Sequence, residues 1–372
     1  MIGHLQRLSL LLLWLLAFSF AAHAAETEPK SKLDSDSVLT TLPTGTGLPV
    51  VARVGVFFVD LTAIDDVAKS FTAKVDVRAV WTDLRLSYPA NEASNGFKEY
   101  RGAAATVRLS EIWSPDLTLV NLRGTPDYDS AGLRIFPGGR VELMRRVNAS
   151  YSASFDATRF PFDRQQLAIE LASQRDPTTQ VLFDFRQNDV EFSRLSRNVQ
   201  IDGWALGSVE LQRDPAVGWY GSLHSRVRAS LQVARDPKTT FAQIFIPLIA
   251  SLLIPMLALW LNATVEGGQF RTEAFELTNV LIGGLFALIA LNFTVNAAYP
   301  ILVNDNPVSR LFGLNYLLLG ISLGINILIF RFHLPARWFG AYVQEELFRW
   351  LVWALPAVAL IGASTIVLTA MV

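Results

Sequence analysis

The 372-residue chain offers no constellation for covalent catalysis. It has no cysteine, no Gly-rich phosphate loop and no H-E-x-x-H pair, and its few histidines lack metal-ligand spacing. The residues that suit a different chemistry run from Glu276 to Pro300, ELTNVLIGGLFALIALNFTVNAAYP. That run is long enough to cross a bilayer, which takes about 20 apolar residues. Its composition is unusual for a helix facing lipid, with Gly283-Gly284, Asn292, Asn296 and a carboxylate, Glu276, at its first end. Small and polar residues in a spanning helix usually face protein or a water-filled cavity. At about 100° per residue, Asn279, Gly283, Phe286, Ala290, Phe293 and Ala297 fall on one narrow face with no large aliphatic side chain. Small residues alternating with phenyl rings suit the lining of an ion path. They equally suit close packing between helices, and Thr278, Asn292 and Asn296 lie on another face. Periodicity leaves both readings open.

The elements that hold this run follow from the rest of the chain. Its length allows about two domains at roughly 150 residues each, and a net charge of −1 gives no basic surface for nucleic acid. Hydropathy is uneven: mixed and strand-like to about Lys238, then almost continuously apolar. We expect a β domain at 25–238 and a membrane domain at 239–372. Residues 1–24 read as a secretory signal peptide, with an apolar core from Leu8 to Phe20 and a small-x-small site at Ala22-His23-Ala24. An uncleaved anchor is the alternative, and either exports the domain that follows. With no cysteine to staple it, a domain of about 200 residues must rely on its core.

Residues 25–47 are polar and read as a flexible lead-in. From Leu48 the pattern turns to period two, with strands at 54–60 and 71–77 turning at Ala63-Ile64-Asp65-Asp66. Further strands are expected at 106–109, 139–147, 149–155, 166–171, 181–185, 204–211 and 223–233, with no helix of any length. Many short strands at this spacing indicate an all-β, immunoglobulin-like antiparallel sandwich. An all-α domain of four spans follows, near 241–261, 277–299, 311–330 and 350–371. Pro247 and Pro255 interrupt the first span, so neighbouring helices must satisfy the freed carbonyls. An exported N-terminus and four spans place the C-terminus outside as well. The loop at 331–349 is then cytoplasmic, in keeping with its Arg331, Arg337 and Arg349.

Several spaced motifs give this layout a family. Phe160-Pro161-Phe162-Asp163 followed by Gln165 resembles the signature loop of the pentameric ligand-gated ion channels, the Cys-loop receptor superfamily. Trp81-Thr82-Asp83 with Arg85-Leu86 looks like that family's W-x-D-x-R-L strand, and Trp113-Ser114-Pro115-Asp116 with Asn121 like its W-x-P-D segment. Arg235 before the first span, Pro247 inside it and Pro300 after the second also match. The similarity covers nearly all of the mature chain. Ala153 and Leu167 stand where the family's bracketing cysteines would be, and the cytoplasmic loop is short. Both departures are typical of the prokaryotic branch, which implies a bacterial inner membrane with the sandwich and the C-terminus on the periplasmic side.

The resemblance assigns tasks that the residues can perform. Phe160, Pro161 and Phe162 form a stiff apolar tip suited to resting on the membrane domain. Asp163 beside them would be partly desolvated and needs a cationic partner. Arg235 is the natural candidate, with Asp65 or Asp66 completing a charge cluster. Of the aromatic box that holds amine ligands in the family through cation–π contact, most is absent. Val120, Gln174 and Asp76 occupy three of its positions. Trp219 and Tyr220 remain, in the turn of the last hairpin, as ligand-closing or as packing residues. Only His224 and His333 survive signal cleavage, so proton gating would fall mostly to carboxylates. Glu276 suits the dipole of a helix N-terminus. In five copies it also makes a ring that attracts cations, as the resemblance implies.

The resemblance therefore implies a homopentameric, ligand- or proton-gated channel that is not an enzyme and needs no cofactor. It would pass cations, sit in a lipid bilayer and respond to a small-molecule or proton agonist. The rival expectation is a non-conducting, membrane-anchored sensor of the same fold.

Overall fold

A computed structural model describes residues 39–371 apart from 94, 262–263, 267–268, 272–273, 300–301 and 303–304, and excepting the side chains of 219, 239, 261 and 264–274. The expected signal segment at 1–24 and Pro300 lie outside the described residues.

The β domain is built from β1 (Val50–Asp65), β2 (Ser70–Thr82), β3 (Lys98–Arg101), β4 (Thr118–Leu119), β5 (Leu122–Ile135), β6 (Arg140–Ser152), β7 (Arg164–Pro177), β8 (Val181–Asp184), β9 (Trp204–Arg213), β10 (Ala216–Val217) and β11 (Leu223–Arg235). One sheet runs β3-β5-β6-β2-β1-β8. The other runs β10-β11-β7-β4, with β9 on the free side of β11. Alternation sets which face is covered: in β1, Val50, Ala52, Val54, Val56 and Phe58 are all buried. The strands pair antiparallel except β8, which lies parallel to β1. The inner faces close over two apolar clusters. One surrounds Phe58, Phe71, Tyr151 and Leu167, and the other surrounds Trp81, Trp113 and Phe183.

Five expectations need correction. Residues 106–109 are not a strand but part of a helix, α1 (Ala103–Glu111). Ala103-Ala104-Ala105 ahead of them favours a helix, and Gly102, at φ 56°, supplies the left-handed entry that a side chain resists. A second short helix, α2 (Gln187–Phe192), presses on β1 at Gly55, where an added Cβ would meet Phe192 at 3.0 Å and the Asp189 carbonyl at 3.2 Å. The runs at 139–147 and 149–155 merge into one strand, β6, which ends at Ser152 and leaves 153–155 outside it. The unforeseen β5 carries Gly124, Pro126 and Gly132, residues that weaken a strand pattern. It tolerates them because β3 pairs only with its far end, from Gly132 to Ile135, and because a register shift lies between Arg123 and Tyr128. The expected turn at 63–66 begins later, since β1 continues to Asp65.

Nor is the described end of the lead-in, from Leu39, a free segment. Leu39 and Leu42 pack on the core, the Leu39 carbonyl accepts from Trp113 N at 2.7 Å, and Arg85 donates to the Thr41 carbonyl at 2.8 Å.

Four helices are long and apolar enough to cross a membrane: α3 (Phe241–Trp260), α4 (Ala274–Ala298), α5 (Pro307–Arg331) and α7 (Ala341–Met371). The chain is a multi-pass membrane protein. Short α6 (Leu334–Phe339) joins α5 to α7. The expected loop at 331–349 is thus mostly helix, because α7 runs well before Trp350 and pairs Arg349 with Glu345 and Glu346. Prolines shape α3 as expected. Its first turn is π-helical over Phe241–Phe245, and before Pro255 the Leu252 N–H turns to Ile249. The Leu248 carbonyl, freed by that turn, accepts from Asn315 Nδ2 of α5 at 3.2 Å. Asn315 is buried, so a neighbouring helix satisfies the broken backbone.

Candidate functional site

Three places can carry function: the junction between sandwich and helices, the exposed face of α4, and the cavity under the β10–β11 hairpin.

At the junction, β11 delivers Arg235 to the loop ahead of β7. Its Nε donates to Asp163 Oδ1 at 2.9 Å, and its Nη2 donates to Asp66 Oδ2 at 2.9 Å and more weakly to Asp163 Oδ2 at 3.3 Å. The side chains of Asp163 and Arg235 are only 2% and 9% exposed, so neither charge is left to solvent. A buried carboxylate needs every oxygen engaged, and Gln165 Nε2 supplies the remaining bond to Asp163 Oδ2 at 2.7 Å. Gln165 also braces the start of the loop through the backbone of Asp156. Hydrogen bonds from Thr158, the backbone one foremost, hold Asp156 below the ordinary carboxylate range. The structure brings Asp66 to the cluster and not Asp65. Asp65 instead accepts from Ala68 N at 2.7 Å and ties its own turn.

The guanidinium also lies between two rings, 4.4 Å from the centroid of Trp204 and 5.0 Å from that of Phe160. Phe160 is fully buried, and it belongs to the apolar cluster of the membrane helices rather than to a sandwich core. Its ring meets Tyr299, just beyond the end of α4, with centroids 5.8 Å apart. Pro161 is buried beside it and Phe162 is half-buried. Trp204 and Tyr299 escaped sequence reasoning. The register that sets Trp204 opposite Arg235 exists only once β9 pairs with β11.

On α4, Leu277, Leu281, Leu288 and Val295 are buried against the other helices. Glu276, Asn279, Gly283, Phe286, Ala290, Phe293 and Ala297 are all exposed on the opposite side of this single chain. Phe286 and Phe293 are 67% and 73% exposed. The glycine pair divides between the two readings. An added Cβ at Gly284 would stand 2.7 Å from Ile254 of α3, whereas Gly283 has open space around it. Two of the polar residues on the other face tie α4 to α5: Asn326 donates to Thr278 at 2.5 Å, and Asn292 donates to the Tyr316 hydroxyl at 3.2 Å, while exposed Asn296 donates to Asn292 of its own helix.

Under the hairpin lies a cavity of about 550 Å³ lined by Val120, Gln174, Tyr220 and His224, among others. The sequence motifs build its floor. Asp116 of the W-x-P-D segment accepts from the backbone N–H groups of Gln174 and Arg175 at 3.0 and 3.1 Å. Asn121 bridges β4 and β7 by donating to the Ala168 carbonyl at 2.7 Å. His224 is buried, with Nδ1 2.9 Å from the Ser173 carbonyl and Nε2 2.9 Å from Ser222 Oγ. Gly218 covers the ring so closely that a Cβ there would fall 2.2 Å from it. Tyr220 stands fully exposed at φ 59°. Trp219 shares its turn, although its side chain is outside the described set. Asp76 does not join this cavity. It lies on the other sheet, paired with Arg146 at 2.6 and 2.7 Å, at a second cavity of about 740 Å³.

The model of the neurotransmitter-gated ion-channel ligand binding domain matches residues 39–237. The chain belongs to this family of pentameric ligand-gated ion channels. Its relatives include a proton-gated ion channel of Gloeobacter violaceus, 24% identical over 68% of this chain and 65% of that protein. A glutamate-gated chloride channel of Drosophila melanogaster is 22% identical over 59% of this chain and 47% of its own length. A gamma-aminobutyric acid receptor subunit rho-2 of Bos taurus is 23% identical over 63% and 50%. The chain thus spans just under two thirds of the first relative and about half of the other two. Ligand-gated channels are not enzymes. In this member, Leu167 and Ala153 pack in one apolar cluster on either side of the loop that other members bracket with cysteines.

Proposed function

We propose that the chain assembles as a homopentameric, cation-selective channel opened by a small molecule or by protons. It would act in a bacterial inner membrane with the sandwich and the C-terminus on the periplasmic side. The observation that carries this reading is the exposed face of α4. That helix buries its leucines against its own bundle and leaves a full-length stripe of small and phenyl residues uncovered, with Glu276 at its foot. Five such stripes around an axis would form a path, and five carboxylates at its inner mouth would favour cations. The stimulus would enter under the hairpin, near Trp219 and Tyr220. The hairpin of one subunit would close on the neighbour's β2–β6 face, where Asp76 lies. The junction cluster would then pass the motion to the segment at Pro300.

The test is purified protein in a planar bilayer, with current recorded over pH and candidate ligands. Under a salt gradient, Glu276→Gln should move the reversal potential away from the cation limit while the pentamer persists. An unchanged reversal potential would remove Glu276 from the selectivity ring, and an anion-side potential in the wild type would overturn cation selectivity. Silence under every stimulus would favour the non-conducting sensor.

A further inference from the structure

The connection between α5 and α7 carries a run of exposed aromatic side chains. Trp338 and Phe339 of α6 and Tyr342 at the start of α7 are 72%, 70% and 78% exposed, and Phe332 ahead of them is 49% exposed. Large apolar side chains gathered on a surface mark an interaction site. The segment that bears them is held in place. Left-handed residues bound α6, His333 at φ 49° and Gly340 at φ 96°, so it continues neither span. Gln344 of α7 braces it, with Oε1 accepting from Ala336 N at 3.2 Å and Nε2 lying 3.3 Å from His333 Nδ1.

The depth of these rings follows from the spans on either side. Phe330 of α5 meets Phe348 of α7 with ring centroids 4.9 Å apart, which sets the two residues at one level. The apolar run of α5, from Leu311 to Phe330, is about 30 Å long, the full depth of the hydrocarbon, and ends at that level. Gln344, which braces α6, precedes Phe348 by about one helical turn, or about 6 Å. The headgroup layer beyond the hydrocarbon is about 5–8 Å thick on each side. Helix α6 therefore stands at the level of the headgroups. Its cations are also uncommitted. Arg349 pairs with Glu345 and Glu346, whereas among the described residues Arg331 and Arg337 form no salt bridge, and both are exposed. Rings at headgroup level with unpaired guanidinium groups beside them match a layer of anionic lipid heads.

We infer that α6 and Tyr342 lie in the membrane interface, with Trp338, Phe339 and Tyr342 among the headgroups and Arg331 and Arg337 against the phosphates of anionic lipids. The partner is the lipid surface itself and not one lipid in a pocket. The inference rests on the four spans and not on conduction.

Because the native chain has no cysteine, single spin labels can test this in the full-length protein. The protein is reconstituted in vesicles of phosphatidylcholine with phosphatidylglycerol and labelled through Phe339→Cys, Tyr342→Cys, Trp353→Cys in the span, or Glu191→Cys on the sandwich. Labels at 339 and 342 should meet dissolved oxygen several-fold more than the label at 191, and a water-soluble nickel chelate several-fold less. Arg331→Gln with Arg337→Gln should shift the label at 342 toward water in these vesicles and change nothing in pure phosphatidylcholine. Trp338→Ala with Phe339→Ala should shift it in both. The label at 353 should stay constant throughout, which reports that the spans remain packed. Nickel access at 342 equal to that at 191 overturns the inference. Exclusion of both reagents also overturns it, since protein, such as a second copy of the chain, would then cover the rings. An arginine pair without effect in the anionic vesicles overturns the part played by headgroup charge. A protein whose labels lie in the interface but which passes no current keeps this surface and loses the channel.

Discussion

Phe160 of the sandwich and Tyr299, just past the end of α4, meet with ring centroids 5.8 Å apart and planes at 60°. This edge-to-face contact joins the β domain to the end of the helix that carries the exposed phenyl stripe. Phe160 is also the ring beneath the Arg235 guanidinium. Arg235, Phe160 and Tyr299 thus form a continuous line of contact from the end of β11 to the residue just past α4.

If that contact transmits gating, Phe160→Ala and Tyr299→Ala should each move activation to a stronger stimulus. Aromatic pairs of this geometry carry about 0.5–1.5 kcal/mol beyond their burial. A double-mutant cycle on the half-activating stimulus should return an interaction energy in that range. Independent, additive shifts would show that the two rings are packed but uncoupled.

The buried charge cluster should be costly to break from either side. Arg235→Gln leaves Asp163 buried without its cation, a loss of about 3–5 kcal/mol where a buried pair is split. Asp163→Asn, which leaves Arg235 with Asp66 as its remaining partner, should lose less. Thermal unfolding of the detergent-solubilised protein should fall for both, and the joint variant should lose less than the sum. Asp65→Asn, which touches only its own turn, should leave stability nearly unchanged. A fall as large as that of Asp163→Asn would contradict the geometry.

The exposed rings of α4 differ in their distance from the junction. Phe293 lies in the half of α4 nearer Tyr299, and Phe286 two turns further from it. Rings from five subunits would narrow the path to an apolar constriction that blocks ions by dewetting. Phe293→Ala should raise resting current or lower the stimulus needed, and Phe286→Ala should do so less. Because the native chain has no thiol, single cysteines along α4 can be probed cleanly. Aqueous reagents should reach positions 290, 293 and 297 in the open state. Modification restricted to 289 and 292 would place the lining on the wrong face.

The two adjacent glycines should behave oppositely. Gly284→Ala drives a methyl against Ile254, and overpacking of this kind costs about 1–3 kcal/mol. Gly283→Ala meets nothing within its own chain, so its thermal stability should stay near the wild type while its conductance changes. Equal destabilisation by both would mean that Gly283 also packs against protein.

The sequence by itself determined the order of the molecule: a strand-rich half, four membrane-length helices, and the two partners Asp163 and Arg235. Those features are written in local patterns, in period-two alternation, in unbroken apolar runs and in a carboxylate beside an apolar tip that demands a cation. Tertiary structure alone decided what lies opposite what. Strand β5 formed despite its glycines and proline, because much of its length borders a single strand. The choice of Asp66 over Asp65 turned on where β1 ends, and Trp204 joined the site through pairing between β9 and β11. Gly283 and Gly284 are identical in sequence and adjacent in the chain. Which of them meets Ile254 depends on the rotation of α4 against α3, and that rotation is set by the whole buried face of the bundle.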